Sequence, residues 1–121
     1  MLLSLLAATV VLSILHYVDN IVFFGSYPEP HWMTPHLVDA FWFVMTPVGV
    51  VGYLLFRRGL RGWALLVLCA YGAMNLLTLG HYLYASPWSL SLRINAFILA
   101  EAVAAVALSI AAAWFARRSV A

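Results

Sequence analysis

Apolar positions fill this chain in four long runs, and short polar clusters separate them. The first run covers residues 2–24. Gly25-Ser26-Tyr27-Pro28-Glu29-Pro30 ends it, because closely spaced prolines cannot continue a helix. Thr34-Pro35 has the form of an N-cap followed by proline at the first helical position, and opens a second helix over 35–56. Pro47 and Gly49 predict a kink in it. The tight turn Arg57-Arg58-Gly59-Leu60-Arg61-Gly62 leads to a third helix over 63–84. Ser86-Pro87-Trp88-Ser89 separates that helix from a fourth over 92–115. Each run is about 20 residues, the length that crosses ~30 Å of hydrocarbon. The pattern predicts an all-α, integral membrane four-helix bundle. It forms one domain over residues 1–121, since every helix must find its neighbours within the same bundle. The opening Met1-Leu2-Leu3-Ser4 has no positive n-region, and no Ala-x-Ala-like cleavage site follows. We read it as the first span rather than a signal peptide.

Composition strengthens this picture. The chain is 66% hydrophobic and 8% charged, with a mean hydropathy of +1.01. A soluble domain of 121 residues needs far more polar surface. The formal charge of +2 rests on arginines alone, and no basic patch carries interleaved aromatics, which excludes nucleic acid as a partner. The single cysteine, Cys69, lies within an apolar run. It permits no intrachain disulfide and no Cys-based metal spacing, and reads as a small core hydrophobe.

The arginines also orient the chain. Arg57, Arg58 and Arg61 fall between the second and third helices, and Arg117 and Arg118 follow the fourth. Four spans place both groups on one side, which the positive-inside rule makes cytoplasmic. Both termini are then expected in the cytoplasm, in a bacterial inner membrane. Tyr27, Trp32, Tyr84 and Trp88 would form an outer aromatic belt, and Trp63 and Trp114 an inner one. Ala96, Ala100 and Ala104 recur at four-residue spacing, a stripe suited to close helix contact. A homodimer is compatible with these features.

Within so apolar a chain, the ionisable groups are the candidate chemistry. His16, Asp19, His36, Asp39, His81 and Glu101 lie in or at the edges of the spans, all toward the outer side. The first helix ends with His16-Tyr17-Val18-Asp19-Asn20 and the second begins with His36-Leu37-Val38-Asp39. Both carry His-x-x-Asp, whose members share a helix face, and the two copies are expected to meet across antiparallel neighbours. Asn75, Thr78, His81 and Tyr82 from the third helix, and Asn95 and Glu101 from the fourth, are expected to complete an outer polar pocket. Glu101 lies seven residues past Ile94, so ~10 Å deep, where an unpaired carboxylate costs about 3 kcal/mol.

Three readings follow from these residues. In the first, a buried carboxylic acid protonates an alkene or epoxide, and a histidine or second carboxylate removes a proton. Tyr17, Phe41, Trp42 and Tyr82 would stabilise a cationic intermediate. In the second, His16, His36 and His81 hold a metal or haem, as inward ligands do in di-metal helical bundles. In the third, the polar groups only satisfy one another and pin the helices. Taken singly, Asp19, Asn20 and Asp39 could be hydrated helix ends, and Glu29 and His31 solvated loop residues. His16, His81 and Glu101 lie well inside their spans.

The order of Asp19, the Pro28-Glu29-Pro30-His31-Trp32 loop, Asp39, Pro47 and the turn 57–63 resembles the EXPERA-domain family of small helical membrane proteins. That resemblance implies a pocket for sterol-like lipids or cationic amphiphiles, with Asp19 and Asp39 as its acids. The family usually carries Glu where this chain has Asp39. Size and span number also resemble small multidrug-resistance transporters, which work as dimers around a Glu in the first helix; the deep carboxylate here is in the fourth.

The leading expectation is a membrane protein whose outer-leaflet pocket binds a hydrophobic small molecule. It would catalyse acid–base isomerisation, cyclisation or hydration of a lipid or terpenoid-like substrate, without a cofactor. Glu101, Asp19, Asp39, His16, His81 and His36 are the candidate catalytic residues. Asn20, Tyr17, Trp42, Asn75, Thr78, Tyr82 and Asn95 are the candidate substrate contacts. The alternatives are a metal- or haem-binding redox protein and a small multidrug-type transporter.

Overall fold

The computed structural model describes residues Met1–Arg118; residues 119–121 of the expected domain lie outside it. Its elements are α1 (Leu2–Val22), a 3₁₀ turn (Phe24–Ser26), α2 (Pro35–Arg57), α3 (Arg61–Leu76) and a 3₁₀ segment (Leu77–Leu83). A short 3₁₀ turn (Pro87–Ser89) and α4 (Leu92–Arg117) complete it. The described residues are all-helical, without strands, and hold four spans long and apolar enough to cross a membrane. Local chemistry sets their starts. Thr34 accepts a hydrogen bond from the Leu37 backbone N–H at 3.2 Å, with Pro35 at the first position of α2. Ser91 caps α4 in the same way through the Ile94 N–H.

Consecutive helices pack against each other, and α4 closes the ring against α1. The inward face of α1 is Leu2, Leu6, Thr9, Ser13, His16 and Asn20, at alternating steps of three and four. That face is apolar at the arginine end and polar at the loop end. At the arginine end, Leu2, Leu6, Met45, Leu68, Leu108, Ala111 and Ala112 form a buried cluster with Tyr71. The outward surface is the apolar one, with Val11, Val44, Leu66, Val103 and Ile110 all exposed. Pro47 lies inside α2 without ending it. Below it, Gly49 and Gly52 let α2 approach α3 closely. A Cβ at Gly49 would stand 2.9 Å from the Tyr71 ring, and one at Gly52 2.8 Å from the Leu68 side chain.

Two expectations are corrected here. The buried stripe of α4 is Ile94, Ile98, Glu101, Ala105, Leu108 and Ala112, not Ala96, Ala100 and Ala104. The inward face still carries small residues, Ala102, Ala105, Ala111 and Ala112, while Leu99, Val103, Val106 and Ile110 turn outward; the spacing misplaced the rotation of the helix, which brings Glu101 onto His16. The third span also does not stay α-helical to residue 84. It tightens to 3₁₀ from Leu77, where three residues complete a turn and side chains at i and i+3 eclipse. Thr78 and His81 therefore stand directly one above the other, whereas α geometry would offset them by about 60°.

Candidate functional site

The polar end is organised around His16. Its Nδ1 is in direct hydrogen-bond contact with Glu101 Oε2, across the interface of α1 and α4. Both side chains are buried, Glu101 completely. Such a contact requires one proton between nitrogen and oxygen. Thr78 Oγ1, projected by the 3₁₀ segment, lies 3.1 Å from the same Nδ1. The carboxylate–imidazole contact fixes the ring's orientation, as in other carboxylate–histidine pairs where one nitrogen is anchored and the other is left to act. His16 Nε2 is buried with no hydrogen-bond partner among the described residues, and the second Glu101 oxygen is likewise unpartnered.

Further contacts, through Glu29 and His81, join the loop to this pair. Glu29 Oε1 accepts a hydrogen bond from Asn20 Nδ2 at 2.7 Å and lies 3.5 Å from His81 Nδ1. His81 Nδ1 donates to the Pro28 carbonyl at 3.2 Å. The His81 and His16 rings are in edge contact, with centroids 5.4 Å apart and planes at 73°. Glu29 was expected to be a solvated loop residue; its side chain is only 10% exposed. Pro28 and Pro30 stiffen the chain on both sides of it, and that flanking pair was the one sequence signal available.

A cavity of about 590 Å³ adjoins these groups. His16, Asn20, Glu29, Thr78 and His81 supply its polar wall, and Tyr17 lines it beside them. Leu37, Val38, Phe41 and Val44 of α2 face Leu77, Gly80 and Leu83 of the third span across it. Val44 is 68% exposed and Leu83 85%, so the cavity opens sideways between α2 and the end of the third span. Its size is that of a small-molecule site, and its form is typical: mostly apolar, with a few convergent polar groups.

Several expected site residues lie elsewhere. Glu101 touches His16 from behind and is not on the cavity wall. His36 and Asp39 are exposed, and among the described residues neither makes a hydrogen bond or ion pair. The two His-x-x-Asp segments therefore do not meet. Val38 is the inward residue of that turn, and Asp39 is rotated by about 100° and His36 by about 160° from it. The set His16, His36 and His81 is not assembled, and no group of three His, Cys, Asp or Glu able to hold a metal occurs among the described residues. Trp42 donates its indole N–H to Ser13 Oγ at 3.1 Å, and it is Phe41 that faces the cavity. Asn75 is buried below the cavity and donates to the Tyr71 carbonyl at 2.8 Å. Tyr82 donates to Asn95 Oδ1 at 2.8 Å, and Asn95 bonds the carbonyls of Pro87, Leu90 and Ser91, which ties the last loop to α4.

Asp19 belongs to a clamp beside the cavity. It accepts the Tyr27 hydroxyl at 2.8 Å, and Arg93 lies 3.5 Å away, stacked over the Phe23 ring. Tyr27 is 6% exposed, so it leaves the aromatic belt in which its loop position had placed it. Burial first, and then the bond to Asp19, push its phenol above the ordinary tyrosine value. The two acids implied by the EXPERA resemblance thus both lie off the cavity wall. Comparison of the chain with protein-family models, curated proteins and solved structures found no match.

Proposed function

We propose that this is an integral membrane protein that takes a hydrophobic small molecule from the bilayer and transforms it by acid–base chemistry at His16. The inverted surface supports the membrane assignment: apolar side chains face out, while Thr9, Ser13, His16, Asn20, Asn75, Thr78 and Glu101 face in. The arginine asymmetry supports four spans with both termini cytoplasmic. A sideways opening between α2 and the third span would then face lipid, a direct route for an apolar ligand. One observation carries the reading. His16, anchored at Nδ1 by a buried carboxylate and with Nε2 unpartnered, stands on the wall of an apolar cavity. A proton given or taken at Nε2 can be balanced at Nδ1 by Glu101 without leaving a lone charge in the bundle. Isomerisation, cyclisation and hydration of a terpenoid-like lipid all need such a group. Glu101 acts through His16, and Thr78 keeps the pair in register.

The test uses the cavity itself. Gly80 lines the cavity and a Cβ there meets nothing within 4 Å, so Gly80→Leu adds bulk from the cavity wall. Mass spectrometry of molecules extracted from purified protein is expected to find a hydrophobic compound with the wild type and little with Gly80→Leu. His16→Gln should retain the compound in its unconverted form, seen as a different retention time or mass. Equal recovery from wild type and Gly80→Leu would sink the binding reading. The same molecule, equally converted, in wild type and His16→Gln would sink the chemistry.

A further inference from the structure

The acid–base reading leaves open how a proton reaches a completely buried carboxyl. From Glu101 toward the arginine end, the packing is Leu2, Leu6, Met45, Leu68, Leu108, Ala111 and Ala112 around the buried Tyr71, with Tyr17 and Tyr53 against its edge; no carboxylate, histidine or arginine belongs to it. Toward the loop end, titratable groups follow one another without a gap of more than a ring's width. Glu29 lies in the 25–34 loop, between the cavity and a second hollow lined by Tyr27, His31 and Trp32 of that loop; His81 is 3.5 Å from it, the His16 ring touches His81, and Glu101 touches His16. We propose that the His16–Glu101 pair exchanges protons with one side of the bundle only, through Glu29 and His81, while the apolar cluster seals the other side. This rests on the acid–base reading and adds the direction of proton supply.

The steps balance as proton transfers alone. The medium on the loop side loads one proton onto the His81 ring, with the Glu29 carboxylate as counter-charge. The His81 N–H bond then breaks as an N–H bond forms at His16 Nε2, directly after a small ring rotation or through one water molecule. The proton shared at Nδ1 moves onto Glu101, and His81 is neutral again. The pair has gained one proton, and no oxidant or reductant takes part. The groups facing His16 are Tyr17 of α1, Tyr27 and Glu29 of the loop, Thr78 and His81 of the 3₁₀ segment and Glu101 of α4. Tyr71 of α3 lies deeper, within electrostatic reach of Glu101. From α2, the ionisable His36 and Asp39 are exposed and make no such contact. Asn20 holds Glu29 in place, which makes it a positioning residue.

The experiment needs no ligand. Protein is reconstituted into phosphatidylcholine vesicles, and its orientation is fixed by labelling Ser26→Cys with an impermeant thiol reagent. Infrared difference spectra identify the Glu101 carboxyl or carboxylate band as the one lost in Glu101→Gln. The pH is then jumped on one side at a time. The band is expected to follow the medium on the 25–34 loop side promptly and the opposite medium about tenfold more slowly or less. Glu29→Gln and His81→Gln should slow the response from the loop side by about tenfold while leaving its final amplitude unchanged. His81→Gln keeps a donor for the Pro28 carbonyl, so folding is preserved, and an unchanged amplitude separates a relay from a merely structural role. Equal rates from the two sides, as a proton-coupled carrier would give, overturn the proposal. So does a band that moves with neither medium, or one that keeps its rate in both variants. Each of these leaves the ligand-extraction result untouched, so the two readings fail separately.

Discussion

His16-x-x-Asp19 and His36-x-x-Asp39 are the same motif at the loop ends of neighbouring antiparallel helices, and they meet opposite fates. In the first, the histidine is buried against Glu101 and Thr78, and the aspartate holds Tyr27 and faces Arg93. In the second, both residues are exposed and neither has a polar partner among the described residues. Spacing fixes how two residues relate on one helix. It says nothing of how that helix is rotated in the bundle, and rotation is what decides between a site and a surface. On α1 the inward register runs through Ser13, His16 and Asn20. On α2 it runs through Val38 and Met45, one or two positions away from the motif.

The largest effect that sharpens this contrast is expected at His16. His16→Ala leaves Glu101 buried without its partner, and should lower stability by about 3 kcal/mol. His36→Ala should stay within about 0.5 kcal/mol of wild type. Denaturant unfolding in detergent micelles measures both. If the two variants unfold alike, the motifs are equivalent and the register argument is wrong.

A charge moved onto the inward register of α2 comes next. Val38→Asp places an unpaired carboxyl at a buried position beside the cavity and is expected to cost about 2 kcal/mol. The natural Asp39 one position away should tolerate Asp39→Ala within about 0.5 kcal/mol. A harmless Val38→Asp would break the comparison at its geometric root.

A smaller effect separates the two aspartates. Asp19→Ala removes the acceptor of a buried hydroxyl and should cost about 1–2 kcal/mol, whereas Asp39→Ala removes nothing that is paired. A thermal shift for Asp19→Ala no larger than that for Asp39→Ala would remove the clamp from the account.

The smallest effect is one of pH. The Tyr27 phenol is raised in the folded protein, so its contribution to stability is fully present below about pH 10, its ordinary value, and is lost as pH rises through the folded value. Tyr27→Phe should therefore lose less stability than wild type across the alkaline range. Parallel stability profiles for the two proteins would show that Tyr27 is not held as described.

Sequence reasoning reached the helices because the signals are local and large. Twenty-residue apolar runs, proline-bearing breaks and the Thr34-Pro35 start require no knowledge of neighbours. It reached His16, His81 and Glu101 because burying such groups is costly wherever the helix turns. It overlooked Glu29, because a loop residue's burial depends on how the prolines around it fold the chain back over the bundle. It misjudged Trp42 against Phe41 and Ala104 against Ala105, each by a single position, because one residue is 100° of helix.

What the chain alone determined is therefore the number, length and apolar character of the helices, and the presence of costly polar groups at one end. Those follow from hydration and backbone chemistry that act residue by residue. Only the tertiary structure decided which face of each helix turns inward, that the third span tightens to 3₁₀ at Leu77, and that Glu29 folds onto His81. These depend on close packing between elements far apart in sequence, such as Gly52 against Leu68 and His16 against Glu101. There, differences of a few kcal/mol between nearby registers select one arrangement.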